Sequence, residues 1–248
     1  MEPVFHELYG YSLKIRNIGP SFTGGDIGRK RREILEQLKR DGVIDMNREL
    51  EFPVCPKRIA VISSQTAAGW GDFRTHLSDN SFGYKFNVKL FPAIMQGEGA
   101  ESSVIAAFDL IAEEYENFDA VVIIRGGGSQ TDLGCFDSYQ LASYVAQFPL
   151  PVIAGIGHER DITVIDYVAH TRVKTPTAAA DIFIEAFVTC DTICRNFAER
   201  LKRAVTDIVA EEQLYNERLT NRFANRVKDR LGAETSHINL CRQKALSN

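Results

Sequence analysis

Three polar runs in the 248-residue chain each follow directly on a stretch of branched apolar residues: SSQTAAGWGD at 63–72, RGGGSQTD at 125–132 and GIGHERD at 155–161. The second offers anion chemistry. Gly126, Gly127 and Gly128 let a backbone come close to a ligand, and their successive amides with the Ser129 hydroxyl suit a phosphate or carboxylate. Arg125 adds a permanent charge with a two-pronged donor fork, matched to a phosphodiester oxygen or to negative charge developing on it. The spacing is neither the dinucleotide fingerprint G-x-G-x-x-G nor a phosphate loop ending in GK[ST]. The plain alternative is a tight strand-to-helix turn in which Arg125 pairs with Asp132 or Asp137.

The third run carries proton-transfer chemistry. His158 stands just past an apolar strand and Asp161 three residues later, so a helix opening there would put both on one face and let the carboxylate orient the imidazole. The imidazole would activate water or protonate a leaving oxygen; Asp161 could instead serve as a helix cap. Asp72 ends the first run. Asp72, His158, Asp161 and Asp166 have ligand chemistry but no compact metal-binding spacing, so no metal site is assigned and no cofactor is firmly required. Magnesium carried in with a phosphate is compatible with the set. Arg172 and Lys174 precede TPTAAADIFIEAF, where Thr175 or Thr177 would cap a helix with Pro176 near its start; these two cations could meet a phosphate backbone or line a solvated turn. The aromatics Phe82, Tyr84, Phe86 and Phe91 have the chemistry for base stacking, but their alternation favours packing for most of them.

These residues need a scaffold that brings strand ends together. RIAVISS, FNVKLFPAIM, DAVVIIRGG and LPVIAGIGH read as four strands apolar on both faces, with intervening helices near 67–79, 101–116 and 136–147. That alternation requires a parallel sheet flanked by helices, an α/β layer in which ligands bind outside the carboxyl ends of the strands. Upstream, YGYSLKIRNI alternates like a single strand that needs a neighbour, GGDIGRKRREILEQLKRDG reads as a helix opening near Gly25 or Asp26 and closing at Gly42, and VIDMNRELEFPVCPKR reads as a connector. From Phe187, apolar residues recur in a three-four rhythm through Cys190, Cys194, Phe197, Leu201, Ala204 and Ile208. A long helix with one such seam wants a second helix, from a partner or another copy of the chain, or the α/β layer itself.

Composition sets the bounds. With 44% hydrophobic and 25% charged residues the chain matches an ordinary globular protein, and no apolar run is long enough to span a membrane as a helix. The net charge of -4 is uneven: residues 59–189 hold seven basic and sixteen acidic groups, whereas the flanks are mildly basic, so contact with a polyanion fits the flanks better. Five cysteines without paired C-x-x-C spacing argue against a zinc site and a disulfide framework, and with no secretory signal a cytoplasmic setting is expected.

Taken together, PKRIAVISSQTAAGWGD, RGGGSQTDLGCFDS and PVIAGIGHERDITVIDYVAHTRVKTPTAAA, in this order and separation, resemble the large subunit of bacterial exodeoxyribonuclease VII. The resemblance covers roughly residues 10–248 and implies an enzyme that degrades single-stranded DNA from either end to oligonucleotides, with a small helical subunit as partner through the C-terminal helical region. It implies catalytic roles for Asp72, Arg125, His158 and Asp161. It also implies that residues 1–24 are the remnant of an N-terminal DNA-binding OB-fold domain, followed by a helix and linker at 25–57, a catalytic α/β domain at 58–186 and a shortened coiled-coil-like region at 187–248. Members of the family differ in their need for a divalent cation. Two departures stand out: the family usually has Glu-Asp-Leu-Trp where this chain has Thr131, Asp132, Leu133 and Gly134, and Asp where it has His170. Two readings outside the family are a phosphosugar- or nucleotide-binding α/β enzyme and a non-catalytic assembly module.

Overall fold

The computed structural model describes the backbone of residues 2–6, 10–14, 20–125, 130–157 and 162–246, with side chains from residue 27 onward except 130–132, 245 and 246. The described chain falls into two compact units, residues 1–190 and 191–248.

In the first unit, β1 (Glu2–His6) and β2 (Gly10–Lys14) pair antiparallel, so the alternating run read as a lone strand has its neighbour just upstream. Helix α1 (Pro20–Arg40) begins earlier than Gly25 and ends as expected before Gly42, with Ile34 and Leu38 buried. The four expected strands are β3 (Arg58–Ser63), β4 (Asn87–Pro92), β5 (Ala120–Ile124) and β6 (Val152–Gly155). A fifth, β7 (Thr171–Arg172), is too short for any periodicity to betray it. All five lie parallel in the order β4-β3-β5-β6-β7.

Alternation along the strands builds two cores. Ala60, Ile62, Val121, Ile123, Val152 and Ala154 face α1, α3 (Ala100–Ala112), α4 (Tyr139–Gln147) and α5 (Val164–Val168). Ile59, Val61, Ala120, Val122, Ile124 and Ile153 face α2 (Ala68–Ser78) and the first turns of α6 (Pro176–Leu246). This double-sided burial is why the strands read as continuous apolar runs. Two helices are shorter than expected. α3 stops at Ala112 before a 3-10 turn at Tyr115–Asn117, and α4 starts at Tyr139 because Ser138 accepts the Leu141 N–H and caps it.

One finding corrects the cysteine reading. Cys55 and Cys190 are joined as a disulfide that encloses all five strands of the sheet between them. An odd count had hidden the pair, whose partners are 135 residues apart. Cys190 therefore faces the connector, and Phe187 packs against Tyr84 and Phe86 with ring centroids 5.3 and 5.0 Å apart. The first part of the apolar seam thus packs on the α/β layer. In the second unit α6 runs on past Gly232 and Ser236 without ending, and its apolar residues Ile193, Phe197, Leu201 and Ile208 are exposed. Among the described residues no helix is long and apolar enough to cross a membrane.

Candidate functional site at the carboxyl ends of the strands

Counted within the sheet, the strand order is 2-1-3-4-5, and the chain reverses its direction of winding between β3 and β5. The helix after β3 and the final helix cover one face and the others cover the opposite face, which opens a crevice outside the carboxyl ends of the two strands at the reversal. That crevice is present, about 480 Å³ in volume, lined by Ser64, Thr66, Ala68, Ile94, Gln96 and Arg125. Arg125 is half-buried at the tip of β5, its N–H donating to the Gly155 carbonyl at the tip of β6 (3.3 Å). The adjacent α2 begins without a side-chain cap, Ala67 being its N-cap residue.

The start of α2 is pressed against this strand end. A Cβ on Gly69 would lie 2.9 Å from the Arg125 carbonyl oxygen and 2.9 Å from Pro176 Cγ, so only glycine lets α2, β5 and α6 meet so closely. Gly69→Ala is expected to destabilise the fold by about 1–3 kcal/mol, because the obstructing atoms include backbone that must move. Thermal or denaturant unfolding of the variant checks this, and an unchanged midpoint would show that the contact relaxes without cost.

Asp72 comes on the next turn of α2, beyond that contact, and borders a different concavity. A cleft of about 650 Å³ is lined by Asp72, Thr75, His76, Phe82, Thr177 and Asp181, among others. The single crevice expected from the sequence is therefore divided among the described residues: Arg125 lines one part, Asp72 the other, and α2 contributes to both. In the Asp72 cleft, His76 Nε2 and Asp181 Oδ1 are 2.6 Å apart and join α2 to α6. Gly126, Gly127, Gly128, Ser129, His158 and Asp161 lie outside the described residues.

The residues that follow the third polar run in the chain are described, together with Asp137, which meets them at Val164. Asp137, 4% exposed, accepts from Arg31 Nε of α1 (2.7 Å) with one oxygen and from the Val164 N–H (2.9 Å) with the other. Asp166 accepts from both the N–H and the hydroxyl of Thr163 (2.7 and 2.9 Å), a capping box that starts α5 at Val164. The helix therefore opens after Thr163, its N-cap residue. Burial pushes the Asp166 carboxyl above its ordinary value, against the pull of the Thr163 hydrogen bonds and of Arg172. Arg172 is about a quarter exposed, with Nε 3.8 Å from Asp166 Oδ1, while Lys174 is exposed. Asp137 thus bonds Arg31 of α1. Burial likewise raises the Cys135 thiol, opposed by the nearby Arg125 charge. At the start of α6, Thr175 rather than Thr177 is the cap: its hydroxyl accepts the Ala178 N–H (3.1 Å), with Pro176 first in the helix.

His170 also has a described role. Its ring contacts the Thr171 hydroxyl (2.8 Å) and the Leu50 carbonyl (3.1 Å) and lies 5.5 Å from the Phe52 ring, fastening the connector to the edge of the sheet. Among the described residues no group of three or more His, Cys, Asp or Glu side chains is arranged to hold a metal ion.

A five-stranded parallel α/β layer, with an arginine-lined crevice at its winding reversal and an acidic cleft beside it, belongs to the large class of α/β proteins whose sites lie at strand ends. Within that class the chain belongs to the family described as exonuclease VII, large subunit, whose model matches residues 43–248. An exodeoxyribonuclease 7 large subunit from Deinococcus radiodurans is 30% identical over 244 residues, covering 98% of this chain and 59% of that protein. One from Nostoc sp. is 33% identical over 239 residues, covering 95% of this chain and 57% of that protein. One from Moorella thermoacetica is 33% identical over 210 residues, covering 85% and 51%. The chain thus spans somewhat more than half the length of these curated relatives.

Proposed function

We propose that the chain is the catalytic part of a nuclease large subunit that hydrolyses phosphodiester bonds of single-stranded DNA from strand ends to give oligonucleotides. The observation that carries this reading is Arg125 at the winding-reversal crevice, in a chain of a nuclease family. In this mechanism the Arg125 fork and the amides of Gly126–Ser129 hold the nonbridging oxygens of the scissile phosphate, stabilising the charge that builds as water attacks. His158 moves the proton, from the attacking water or to the leaving oxygen, and Asp161 orients the imidazole or the water, while Asp72 borders the adjoining cleft. Water adds its oxygen to phosphorus and the P–O bond to the leaving sugar oxygen breaks, which needs no redox partner. Arg172 and Lys174 guide the backbone without reading bases. A magnesium ion bound with the phosphate is compatible with the scheme, which routes no step through it.

The same proposal assigns the residues before α1 to the last part of a DNA-binding OB-fold domain, α1 and the chain to residue 57 to a helix and linker, 58–186 to catalysis and 187–248 to assembly. The exposed apolar seam of α6 would take the small subunit or a second copy of the chain. The test uses the family-length protein with its small subunit on end-labelled DNA, with magnesium and with chelator. Acid-soluble oligonucleotides from single strands and little release from duplex are expected; no cleavage under either condition overturns the reading.

A further inference from the structure

Phe82 sits at the rim of the Asp72 cleft and is 57% exposed. An exposed phenylalanine alone is ordinary. This one is held in place by a built loop. Asn80 uses its whole amide there: Nδ2 donates to the carbonyls of Leu77 (2.7 Å) and Tyr84 (2.8 Å), and Oδ1 accepts the Tyr84 N–H (2.9 Å). Gly83 closes the turn with φ +72°, a conformation side chains disfavour, and its N–H donates to the Asn80 carbonyl. The Phe82 ring lies nearly parallel to that of Tyr84, 12° apart with centroids at 5.5 Å, and Tyr84 is backed in turn by Phe187 at 5.3 Å. The outcome is a braced aromatic platform with one member open to solvent.

We infer that Phe82, backed by Tyr84, is a stacking platform that seats one unpaired nucleobase of the DNA strand in the Asp72 cleft. The inference rests on the reading of the chain as a single-strand nuclease. A cleft of about 650 Å³ has room for a nucleotide. Its charge favours a base over a phosphate: Asp72, Asp79 and Asp181 line it, with His76 held by Asp181, and carboxylates accept from the amino and imino groups of base edges while repelling phosphate oxygens. The strand would therefore enter base inward and backbone outward, toward the Arg125 crevice. Every base has a π-face, so the platform tolerates sequence, and duplex DNA, whose bases are already stacked on one another, gains nothing from it.

Equilibrium binding of the intact chain in chelator tests this without hydrolysis, using fluorescently labelled 20-nucleotide oligo(dA), an abasic sugar-phosphate strand of the same length, and a duplex. Phe82→Ala is expected to weaken binding of oligo(dA) about ten-fold, to leave the abasic strand and the duplex unchanged, and Phe82→Trp to restore wild-type affinity. Equal binding of oligo(dA) by wild type and Phe82→Ala, or an equal loss on the abasic strand, overturns the inference while leaving the nuclease reading intact. If wild type binds no single strand, both fall. If oligo(dA) binds through Phe82 but the complete enzyme cleaves nothing, the platform stands and the nuclease reading fails.

Discussion

Asn47→Ala is expected to lower the stability of the first unit by about 3–5 kcal/mol, moving its thermal midpoint down by roughly 10 °C for a unit of this size. Asn47 is fully buried in the connector and spends its amide on four backbone groups of the sheet edge. Its Nδ2 donates to the carbonyls of Phe148 (3.0 Å) and Leu150 (2.9 Å), and its Oδ1 accepts the N–H groups of Val152 (2.9 Å) and His170 (3.0 Å). Truncation leaves two carbonyls and two N–H groups without that partner in a largely buried site, and each such loss costs on the order of 1 kcal/mol or more. Asn47→Asp separates this from a packing effect. It keeps the shape and the acceptor but turns the second oxygen toward two carbonyls, so it is expected to destabilise at least as much as Ala at neutral pH. Chemical denaturation of the three proteins checks the pair; a loss under 1 kcal/mol for both would mean the connector is held by something else.

The sheet was legible in the sequence because β3, β5 and β6 are buried on both faces, so that IAVI, AVVII and VIAG are unbroken runs of apolar or small residues, and because helices of the right length separate the strands. β7 was not, since two residues carry no period. Asn47 and the Cys55–Cys190 pair were also hidden: a single Asn in DMNREL looks like any turn residue, and nothing local links cysteines 135 residues apart. Arg125 could be placed from sequence because strand ends are where a parallel sheet binds ligands. The separation of Asp72 from its crevice could not, because it depends on how closely α2 packs at Gly69, a tertiary distance. Asp137 was visible only as a possible partner for Arg125, and its bond to Arg31 arises from the packing of α1 against the layer, across 106 residues of sequence. Phe82 was one of four aromatics with no pattern to distinguish it; exposure and the Asn80 loop single it out.

Removal of the His158 imidazole is expected to have the largest effect on activity. If His158 transfers the proton, no neighbour of similar pKa in the GHERD run can replace it, and general acid–base catalysis accounts for about 10²–10⁴-fold in rate. Arg125→Lys complements it: the charge stays but the two-pronged fork is lost, so the rate should fall with binding of single-stranded DNA largely kept. Thermal unfolding of both variants beside the rate measurement separates a chemical defect from a folding one. The most direct measurement is the single-turnover rate of acid-soluble oligonucleotide release from end-labelled single-stranded DNA, comparing the complete large subunit and its His158→Ala variant, each with the small subunit. The account predicts a loss of at least about 100-fold in the variant with DNA binding retained, whereas wild-type release by His158→Ala would contradict it.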